Sequence, residues 1–378
     1  IPDSDSIDIE NAVSAAKDAF NSWSKLSKNE RYDHIMHLAD EIKAHFDELV
    51  EAESKDNGKP EWLARAVDIP RASENFRFFS TASLHFDSEI HEMDGKALNY
   101  TLRQPVGVVG CISPWNLPLY LLTWKIAPAL AAGNTVVAKP SEITPMTAYL
   151  FSKFCQKADF PKGVINIVHG YGHKVGDALS RHPDVPIISF TGGTATGEKI
   201  AAVAAPMFKK LSLEMGGKNP NIIFEDADFD NAVKMSAKAA FSNQGQICLC
   251  GSRLFVQESI YDKFRTAVIQ ETQTLKVGDP KDEKSNLGAV VSKPHMQKIL
   301  NCIDDAKAEG GEILTGGNRV ILEGDLKDGY YIEPTIIDGL TANCKTNQEE
   351  IFGPVVSMIP FKTEEEVIEM ANSTKYGL

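Results

Sequence analysis

Residues 185–197 read Val-Pro-Ile-Ile-Ser-Phe-Thr-Gly-Gly-Thr-Ala-Thr-Gly. They join a short apolar run to a glycine-containing turn, and a helix-like segment follows at 198–205. Further β-branched runs lie at 106–112, 134–138 and 163–168, and helix-like segments separate them at about 119–132, 144–158 and 174–181. Strands that alternate with helices predict right-handed βαβ units and a parallel sheet, so the predicted fold class is α/β.

The flanking regions have other patterns. Helical spacing of apolar residues predicts helices within 10–53 and 61–85, with a break at Asn57-Gly58-Lys59-Pro60. Residues 87–105 lack this spacing and contain Asp94-Gly95, which favours a hairpin. A second α/β stretch begins near Gly217. Its predicted strands are 221–224, 254–256 and 355–361.

Composition excludes several classes of function. The 378 residues are 43% hydrophobic and 24% charged, with a net charge of −13. No Lys/Arg tract stands out, so we expect no nucleic-acid partner. Six cysteines are too few for a disulfide framework, and no histidine near Cys248 and Cys250 has zinc-ligand spacing, so we expect free thiols and no metal. No apolar run could cross a bilayer and residues 1–20 lack a secretory signal, so we expect a cytoplasmic protein without a membrane partner.

Two segments that follow strands could hold a nucleotide. The Gly192-Gly193 turn lets a backbone approach a phosphate at a helix N-terminus, although a plain tight turn explains it equally well. Lys139-Pro140-Ser141-Glu142 follows a strand, where a carboxylate can bind ribose hydroxyls. Taken alone, that segment is better explained as a helix start capped by Ser141.

Three further segments carry side chains suited to carbonyl chemistry. Cys248 follows a polar loop that contains glycine, where a thiolate can attack a carbonyl, but a buried structural cysteine and Cys250 are competing interpretations. Glu214 precedes a glycine pair and could act as a general base, or be a solvated surface residue. Asn116 lies between Pro114 and Pro118 and could donate to an oxyanion, or satisfy its own backbone.

Together these segments resemble the aldehyde dehydrogenase superfamily over essentially the whole chain. They occur in that family's order, as Pro114-Trp115-Asn116, Lys139-Pro140-Ser141-Glu142, Phe190-Thr191-Gly192, Leu213-Glu214-Met215-Gly216-Gly217-Lys218, Gly245-Gln246-Ile247-Cys248 and Glu349-Glu350-Ile351-Phe352-Gly353-Pro354. Independent surface features would not fall into one family's order, so the structural alternatives lose most of their weight.

The resemblance implies the chemistry. Cys248 is the expected nucleophile, Glu214 the general base and Asn116 the oxyanion donor, and Lys125 resembles a position that assists proton relay. The implied cofactor is NAD. The residues expected to bind it are Ser113, Trp115, Lys139, Ser141, Glu142, Gly172, Gly176, Phe190, Gly192, Gly193, Glu350 and Phe352.

A closer resemblance is to the 2-aminomuconic semialdehyde dehydrogenase branch of tryptophan (kynurenine) catabolism. It is carried by residues 68–79, by 117–125 and by Ile247-Cys248-Leu249-Cys250. Arg71 falls where the family places a substrate-pocket side chain, and a cation there suits an aldehyde that carries a carboxylate. The competing interpretation is an ordinary exposed helix arginine.

The resemblance also implies the domain organisation. We expect a Rossmann-like NAD-binding domain at 1–86 and 106–216, an oligomerisation hairpin at 87–105 and a catalytic domain at 217–378, with a homodimer or homotetramer as the assembly. The chain starts without Met and stops just after Lys375-Tyr376-Gly377. We therefore expect a fragment. Because the family's chains continue past Leu378, the resemblance implies that part of the substrate pocket and the assembly tail are absent here.

Other functions are retained as alternatives. They are a retinal or general aliphatic aldehyde dehydrogenase, an acylating CoA-dependent dehydrogenase, and an inactive binding or structural derivative of the fold. The acylating branch lacks the glutamate base, so Glu214 argues against it. The presence of Cys248 and Asn116 beside Glu214 argues against an inactive derivative.

Overall fold

The β-branched runs form the strands of two larger sheets. In the computed structural model, which describes residues 1–378, the strands are β1 (Ile90–Met93), β2 (Ala97–Tyr100), β3 (Val108–Ile112), β4 (Thr135–Lys139), β5 (Ile165–Ile167), β6 (Ile187–Thr191), β7 (Lys210–Glu214), β8 (Pro220–Ile223), β9 (Arg253–Gln257), β10 (Glu312–Thr315), β11 (Arg319–Val320), β12 (Tyr331–Ile332), β13 (Thr335–Asp338) and β14 (Val355–Phe361).

The helices occupy the segments with helical spacing. They are α1 (Ser6–Trp23), α2 (Lys28–Ala44), α3 (Phe46–Asn57), α4 (Glu61–Leu63), α5 (Ile69–Leu84), α6 (Pro118–Ala131), α7 (Met146–Lys157), α8 (Asp177–Arg181), α9 (Thr194–Ala204), α10 (Phe229–Phe241), α11 (Tyr261–Gln273), α12 (Lys293–Ala308), α13 (Lys345–Gln348) and α14 (Glu364–Ala371). None of them is long and apolar enough to span a bilayer.

The chain divides into two units. Unit 1 comprises residues 1–53 and 65–214, and unit 2 comprises 54–64 and 215–378. Residues 54–64 therefore belong to unit 2, whereas the sequence grouped them with the first domain. Their contacts explain this, because the Glu61 backbone N–H donates to Pro280 O at 2.8 Å and the Trp62 indole donates to Ser285 O at 2.7 Å.

Unit 1 contains a five-stranded sheet in the order β5-β4-β3-β6-β7. Every neighbouring pair in it is parallel, as the alternation of strands and helices predicts. All residues of β3 and β4 are buried, which is typical of central strands covered on both faces. The edge strand β7 was not assigned from the sequence. Its burial alternates along the strand, with Leu211 and Leu213 less exposed than their neighbours.

Unit 2 contains a five-stranded sheet in the order β10-β13-β14-β9-β8, in which only the β10–β13 pair is antiparallel. Its core includes Val256, Phe264 and Met358, all fully buried. The predicted strands at 221–224, 254–256 and 355–361 correspond to β8, β9 and β14.

The hairpin expected from Asp94-Gly95 is present. Strands β1 and β2 pair from Ile90↔Tyr100 to Met93↔Ala97, and Asp94 and Gly95 have positive φ at the turn. Every strand residue is exposed. Its role in assembly stays a prediction.

Candidate active site

The carboxyl ends of β3, β4, β6 and β7 lie along one edge of the unit 1 sheet, since these strands are parallel. These strand ends and the segments after them carry most of the predicted cofactor residues, together with Asn116 and Glu214. Two backbone hydrogen bonds join these ends, from Ser113 N to Lys139 O at 3.2 Å and from Gly192 N to Glu214 O at 3.0 Å. This edge is where open parallel sheets bind ligands.

Lys139 and Glu142 form an ion pair of 2.6 Å after β4. The lysine side chain is 4% exposed and the carboxylate 35%. Burial alone would raise the pKa of Glu142. The hydrogen bond and charge of Lys139, aided by the backbone of Gly172, outweigh burial, and the pKa of Glu142 lies below its usual value. Glu142 is therefore ionised at neutral pH and presents an anion at this edge.

The two serines of this region differ in their partners. Ser141 Oγ accepts the Ile143 backbone N–H at 3.2 Å, and α7 begins only at Met146 without a side-chain cap. The alternative in which Ser141 caps a helix is therefore wrong. Ser113 Oγ is buried and has no hydrogen-bond partner. Buried hydroxyl groups normally have one, so Ser113 fits an external polar ligand.

A cavity of about 130 Å³ adjoins Glu142. His169 and Tyr171 also line it, and sequence reasoning selected neither. Burial lowers the pKa of His169 to about 4, and the charge of Lys139 acts in the same direction, so its imidazole is neutral. Nearby, Gly172 and Gly176 are the first and last residues of the helical turn 172–176, and an added Cβ would meet nothing within 4 Å at either position.

The glycine turn after β6 leads into α9. Gly193 caps this helix and faces open space, so the helix N-terminus is accessible to an anion. Gly192 has a different constraint, because an added Cβ would lie 2.6 Å from the Phe190 ring. Phe190 is 3% exposed, and its buried ring packs against the turn at Gly192.

Lys125 is buried on α6, and its ammonium group lies 3.4 Å from Ser189 Oγ. Burial lowers its pKa to about 8, and the neighbouring Cys111 and Glu214 oppose that shift. The Cys111 thiol is itself raised to a pKa of about 12 by burial. A lysine close to its titration point beside the predicted base can exchange protons near neutral pH.

Asn116 and Trp115 lie in the turn between β3 and α6. Asn116 is 3% exposed. The Trp115 carbonyl accepts from Thr144 Oγ1 at 3.2 Å, which ties this turn to the segment after β4. The turn is therefore fixed before any substrate arrives.

Arg71 lies near the start of α5 with its guanidinium 5.3 Å from the Tyr120 ring centroid. Its Nη2 is 3.5 Å from the Tyr120 hydroxyl, and its Nη1 is 3.7 Å from Glu74. The Arg71 side chain is 44% exposed. Trp124 packs edge-to-face on both Tyr120 and Phe79, so an aromatic surface continues from the cation.

In unit 2, a cavity of about 20 Å³ brings together Cys248, Cys250, Glu350 and Phe352. The Glu350 carboxylate accepts the Gly217 backbone N–H at 3.1 Å. Burial raises the pKa of Glu350, while the Gly217 N–H and two lysine charges oppose the shift. Glu350, which is predicted to bind the cofactor, is thus held in unit 2 beside the predicted nucleophile Cys248.

The two cysteines of this cavity have different environments. Burial raises the pKa of Cys250 to about 12, and its thiol donates to Ser242 O at 3.8 Å. Cys248 is partly exposed, and its carbonyl accepts from Asn219 Nδ2 at 2.7 Å. A protonated, hydrogen-bonded thiol is a poor nucleophile, so the geometry favours Cys248.

Several residues around Cys248 were missed by sequence reasoning. Asn219 holds the Cys248 carbonyl, and the buried Gln244 and Gln246 hold the loop before it. His295 Nε2 lies 2.7 Å from the carbonyl of Phe352, which has φ +60°. The only local signal was the pair of glutamines flanking Gly245. Nothing in the sequence indicated their partners.

Unit 2 thus supplies a partly exposed thiol, and unit 1 supplies an ionised carboxylate paired with a buried lysine and an open glycine turn. The profile described as "Aldehyde dehydrogenase family" matches residues 1–378. The chain belongs to the aldehyde dehydrogenase family. Its placement from the order of the sequence motifs is confirmed.

Similar proteins support the same membership. This aldehyde dehydrogenase is 51% identical to 2-aminomuconic semialdehyde dehydrogenase from Homo sapiens, over 100% of the chain and 78% of the relative. It is 45% identical to 2-hydroxymuconic semialdehyde dehydrogenase from Pseudomonas sp. (strain CF600), over 98% of the chain and 78% of that relative. An NAD+ complex of the Bacillus cereus aldehyde dehydrogenase has a TM-score of 0.96 and 40% identity, covering 100% of this chain and 76% of that one. The predicted aldehyde dehydrogenase fold is therefore confirmed.

Proposed function

We propose that this aldehyde dehydrogenase oxidises a carboxylate-bearing semialdehyde, such as 2-aminomuconic semialdehyde, to the carboxylic acid with NAD+. The observation that carries the substrate proposal is the half-exposed guanidinium of Arg71 beside Tyr120. The names of the relatives at 51% and 45% identity, both muconic semialdehyde dehydrogenases, support the same class of substrate.

Each catalytic side chain has one role in the proposed reaction. The Cys248 thiolate adds to the aldehyde carbon, and the Asn116 amide donates to the oxyanion of the resulting thiohemiacetal. NAD+ held by the unit 1 residues would supply the hydride acceptor, and the oxidised carbon would then remain bound to Cys248 as a thioester. Glu214 then takes a proton from water, and the hydroxide releases the acid from the sulfur.

Lys125 assists Glu214 in this scheme. Its pKa of about 8 lets it carry a proton away after water is activated. The charge of Glu214 is among the influences on that pKa, which supports an electrostatic link between the two groups. The hydrolytic role of Glu214 also speaks against the acylating, CoA-dependent alternative.

The residues of unit 1 fit NAD+ in three respects. Ser113 Oγ is buried without a partner and so is free to meet a polar ligand. Gly193 leaves the N-terminus of α9 open for a pyrophosphate. Glu142 is ionised beside Lys139 and would bind ribose hydroxyls while repelling a 2′-phosphate. Glu350 in unit 2 would bind the second ribose.

Arg71 explains a preference for an acidic aldehyde. A guanidinium pairs with a carboxylate through two parallel hydrogen bonds, and such a charge-assisted bond contributes roughly 1.5–3 kcal/mol. Glu74, at 3.7 Å, already occupies one side of Arg71, so the substrate carboxylate must displace it. This exposed pair is weak and easily exchanged.

The aromatic surface of Phe79, Tyr120 and Trp124 favours a second candidate, a neutral aliphatic or retinoid aldehyde. The two candidates differ in their dependence on Arg71. Only a substrate with a carboxylate gains from its charge.

The test compares a dicarboxylic-type semialdehyde with its neutral methyl ester by NADH absorbance, using the full-length enzyme. Arg71→Ala should lower kcat/KM for the acid by about tenfold to a hundredfold relative to the ester. Arg77→Ala is the matched control, because it removes a guanidinium of the same helix that pairs with Asp40. If the ratio of kcat/KM for the acid to that for the ester is unchanged in Arg71→Ala, the acidic substrate is excluded and the neutral one is favoured.

We also propose that the enzyme is a cytoplasmic protein that forms a homodimer or homotetramer, and the exposed hairpin supports the assembly. Ile90, Leu98 and Tyr100 are each more than 60% exposed on its two strands. Apolar strands of this kind are usually covered by a second chain. We further propose that unit 1 without the hairpin is the NAD-binding domain and that residues 217–378 belong to the catalytic domain.

A further inference from the structure

The loop that carries Cys248 has an unusual backbone. Between α10 and β9, Asn243, Gln244 and Gly245 occupy the left-handed region in succession, with φ of 51°, 57° and 68°. Residues other than glycine rarely adopt this conformation, because it strains their backbone. Two consecutive examples therefore need contacts that hold them in place.

Two buried glutamines supply such contacts. Gln244 and Gln246 are 1% and 0% exposed. Gln244 Nε2 donates to Ala289 O at 2.9 Å, and Gln246 Oε1 accepts the Val291 backbone N–H at 3.0 Å. The loop is thereby fixed on both sides of Gly245 to one segment before α12, residues 289–291.

The loop also closes on itself. Asn243 Nδ2 donates to Gln246 O at 3.3 Å, and Gln246 Nε2 donates to Asn243 O at 3.4 Å. No larger residue fits at position 245, because a Cβ added to Gly245 would lie 2.0 Å from Gly353 O. The turn therefore has little freedom to place Cys248 elsewhere.

A third segment of unit 2, residues 54–59, contacts the chain at residues 288 and 289. Gly58 has φ +90°, and an added Cβ there would lie 2.7 Å from Ala289 O, the acceptor of Gln244. An added Cβ at Gly288 would lie 2.0 Å from Gly58 O. Ser54 fixes this turn, since its Oγ donates to Lys59 O at 2.6 Å. Residues 54–59 and 288–289 are thus in direct backbone contact.

We propose that Gln244 and Gln246 are positioning residues for the nucleophile, and that Gly58 supports the segment to which they bind. Their amide groups hold the loop in its left-handed turn and so direct the Cys248 sulfur at the substrate carbonyl. Releasing either amide lets the loop relax towards ordinary backbone conformations. A nucleophile displaced by about 1 Å can lose a hundredfold in rate. The inference rests on the proposed role of Cys248.

The main test uses Gln246→Met in the full-length enzyme, because methionine fills the space without accepting a hydrogen bond. We expect kcat to fall by about tenfold to a hundredfold with a smaller change in the KM for NAD+. The rate of Cys248 alkylation by iodoacetamide, followed against pH, should fall or shift as well. Gln246→Glu keeps the acceptor for Val291 but loses the donor to Asn243 O, so it should recover only part of the activity that Gln246→Met loses.

Tyr261→Phe is the control for a purely structural effect. It removes a 2.6 Å hydrogen bond to Asp338 in the same unit, so it should lower Tm without changing the alkylation profile. If Gln246→Met behaves like Tyr261→Phe when folded, the proposal is overturned. If Gln246→Met does not fold, Gln244→Met and Gly58→Ala decide by the same two measurements.

The outcome also separates this inference from the proposed function. An active Cys248→Ala enzyme removes the nucleophile assignment and with it the reason for the glutamine contacts. An inactive Cys248→Ala enzyme, together with normal alkylation in Gln244→Met and Gln246→Met, overturns only the positioning role.

Discussion

Glu350 accepts a hydrogen bond from the backbone N–H of Gly217 at 3.1 Å, although 133 residues separate the two in the chain. The adjacent Gly216 makes this approach possible, because an added Cβ would lie 2.2 Å from Glu350 Oε2. The glycine pair after Glu214 therefore sets the position of the carboxylate predicted to bind the nicotinamide ribose.

Gly216→Ala should displace Glu350 and weaken NAD+ binding. The methyl group cannot be accommodated at 2.2 Å, so the carboxylate must leave the Gly217 N–H. The displaced Glu350 would lose its proposed charge-assisted hydrogen bond to the ribose of NAD+. That loss corresponds to about a tenfold to hundredfold rise in the KM for NAD+. Steady-state kinetics with varied NAD+ measure it. Glu350→Gln, which keeps an acceptor, should lose less, and an unchanged KM in Gly216→Ala would contradict the assignment.

The two cysteines of the nucleophile loop should differ in function. Cys248→Ala should abolish aldehyde oxidation, whereas Cys250→Ala should keep most of it, because burial holds the Cys250 pKa near 12 and the group stays a thiol. Iodoacetamide should label Cys248 first, with mass spectrometry identifying the modified peptide. Equal loss of activity in both variants would exclude the assignment of Cys248 alone.

Glu214→Gln should separate the two half-reactions. Glutamine cannot take a proton from water, so thioester hydrolysis should slow by about a hundredfold or more, while the first burst of NADH persists. Stopped-flow absorbance gives both the burst and the steady state. Glu51→Gln, at an exposed position of α3, is the control and should change neither. Parallel loss of burst and turnover in Glu214→Gln would contradict this order of steps.

The sequence predicted the sheets and the site motifs because both depend on local patterns. The runs ending at Ile112, Lys139 and Thr191 are strongly apolar, and central parallel strands need little else to be recognised. Parallel pairing then brings the residues after these strands to one edge. The alternation at Leu211 and Leu213 is equally local, and its period of two residues is the signal of a half-buried strand such as β7.

The contacts that position Cys248 could not be predicted, because they are tertiary. Gln246 binds Val291 and Asn219 binds the Cys248 carbonyl, and no periodicity or spacing indicates either partner. The left-handed backbone of Gln244 was equally hidden, since glutamine has no local preference for positive φ. Residues 54–64 join unit 2 for the same reason, through contacts such as Trp62 to Ser285.

The stability of the enzyme should depend on pH through Lys125. Burial lowers its folded pKa from 10.5 to about 8, so between these values the unfolded chain binds more protons and stability rises with pH. Below pH 8 the full cost of the buried charge is present. Lys125→Met should therefore raise the free energy of unfolding near pH 7 by on the order of 2–3 kcal/mol more than it does near pH 10. Urea unfolding at both pH values measures it, and an equal effect at both would contradict the shift.

Cofactor choice should depend on the charge of Glu142. The carboxylate is ionised because Lys139 lies 2.6 Å from it, and an anion at this position repels the 2′-phosphate of NADP+. We expect a higher kcat/KM with NAD+ than with NADP+ in the wild type. Removing the charge relieves a like-charge contact that costs several kcal/mol at close range, so Glu142→Gln should raise the NADP+ to NAD+ ratio by at least about tenfold.

The matched control is Glu142→Asp, which keeps the charge while shortening the side chain. It should weaken NAD+ binding, because the ribose hydroxyls lose their acceptor, yet leave NADP+ disfavoured. The two substitutions therefore separate the hydrogen-bonding role of Glu142 from its electrostatic one. A wild-type enzyme with a lower KM for NADP+ than for NAD+, or a cofactor ratio that is the same in Glu142→Gln and Glu142→Asp, would exclude Glu142 as the residue that selects the cofactor.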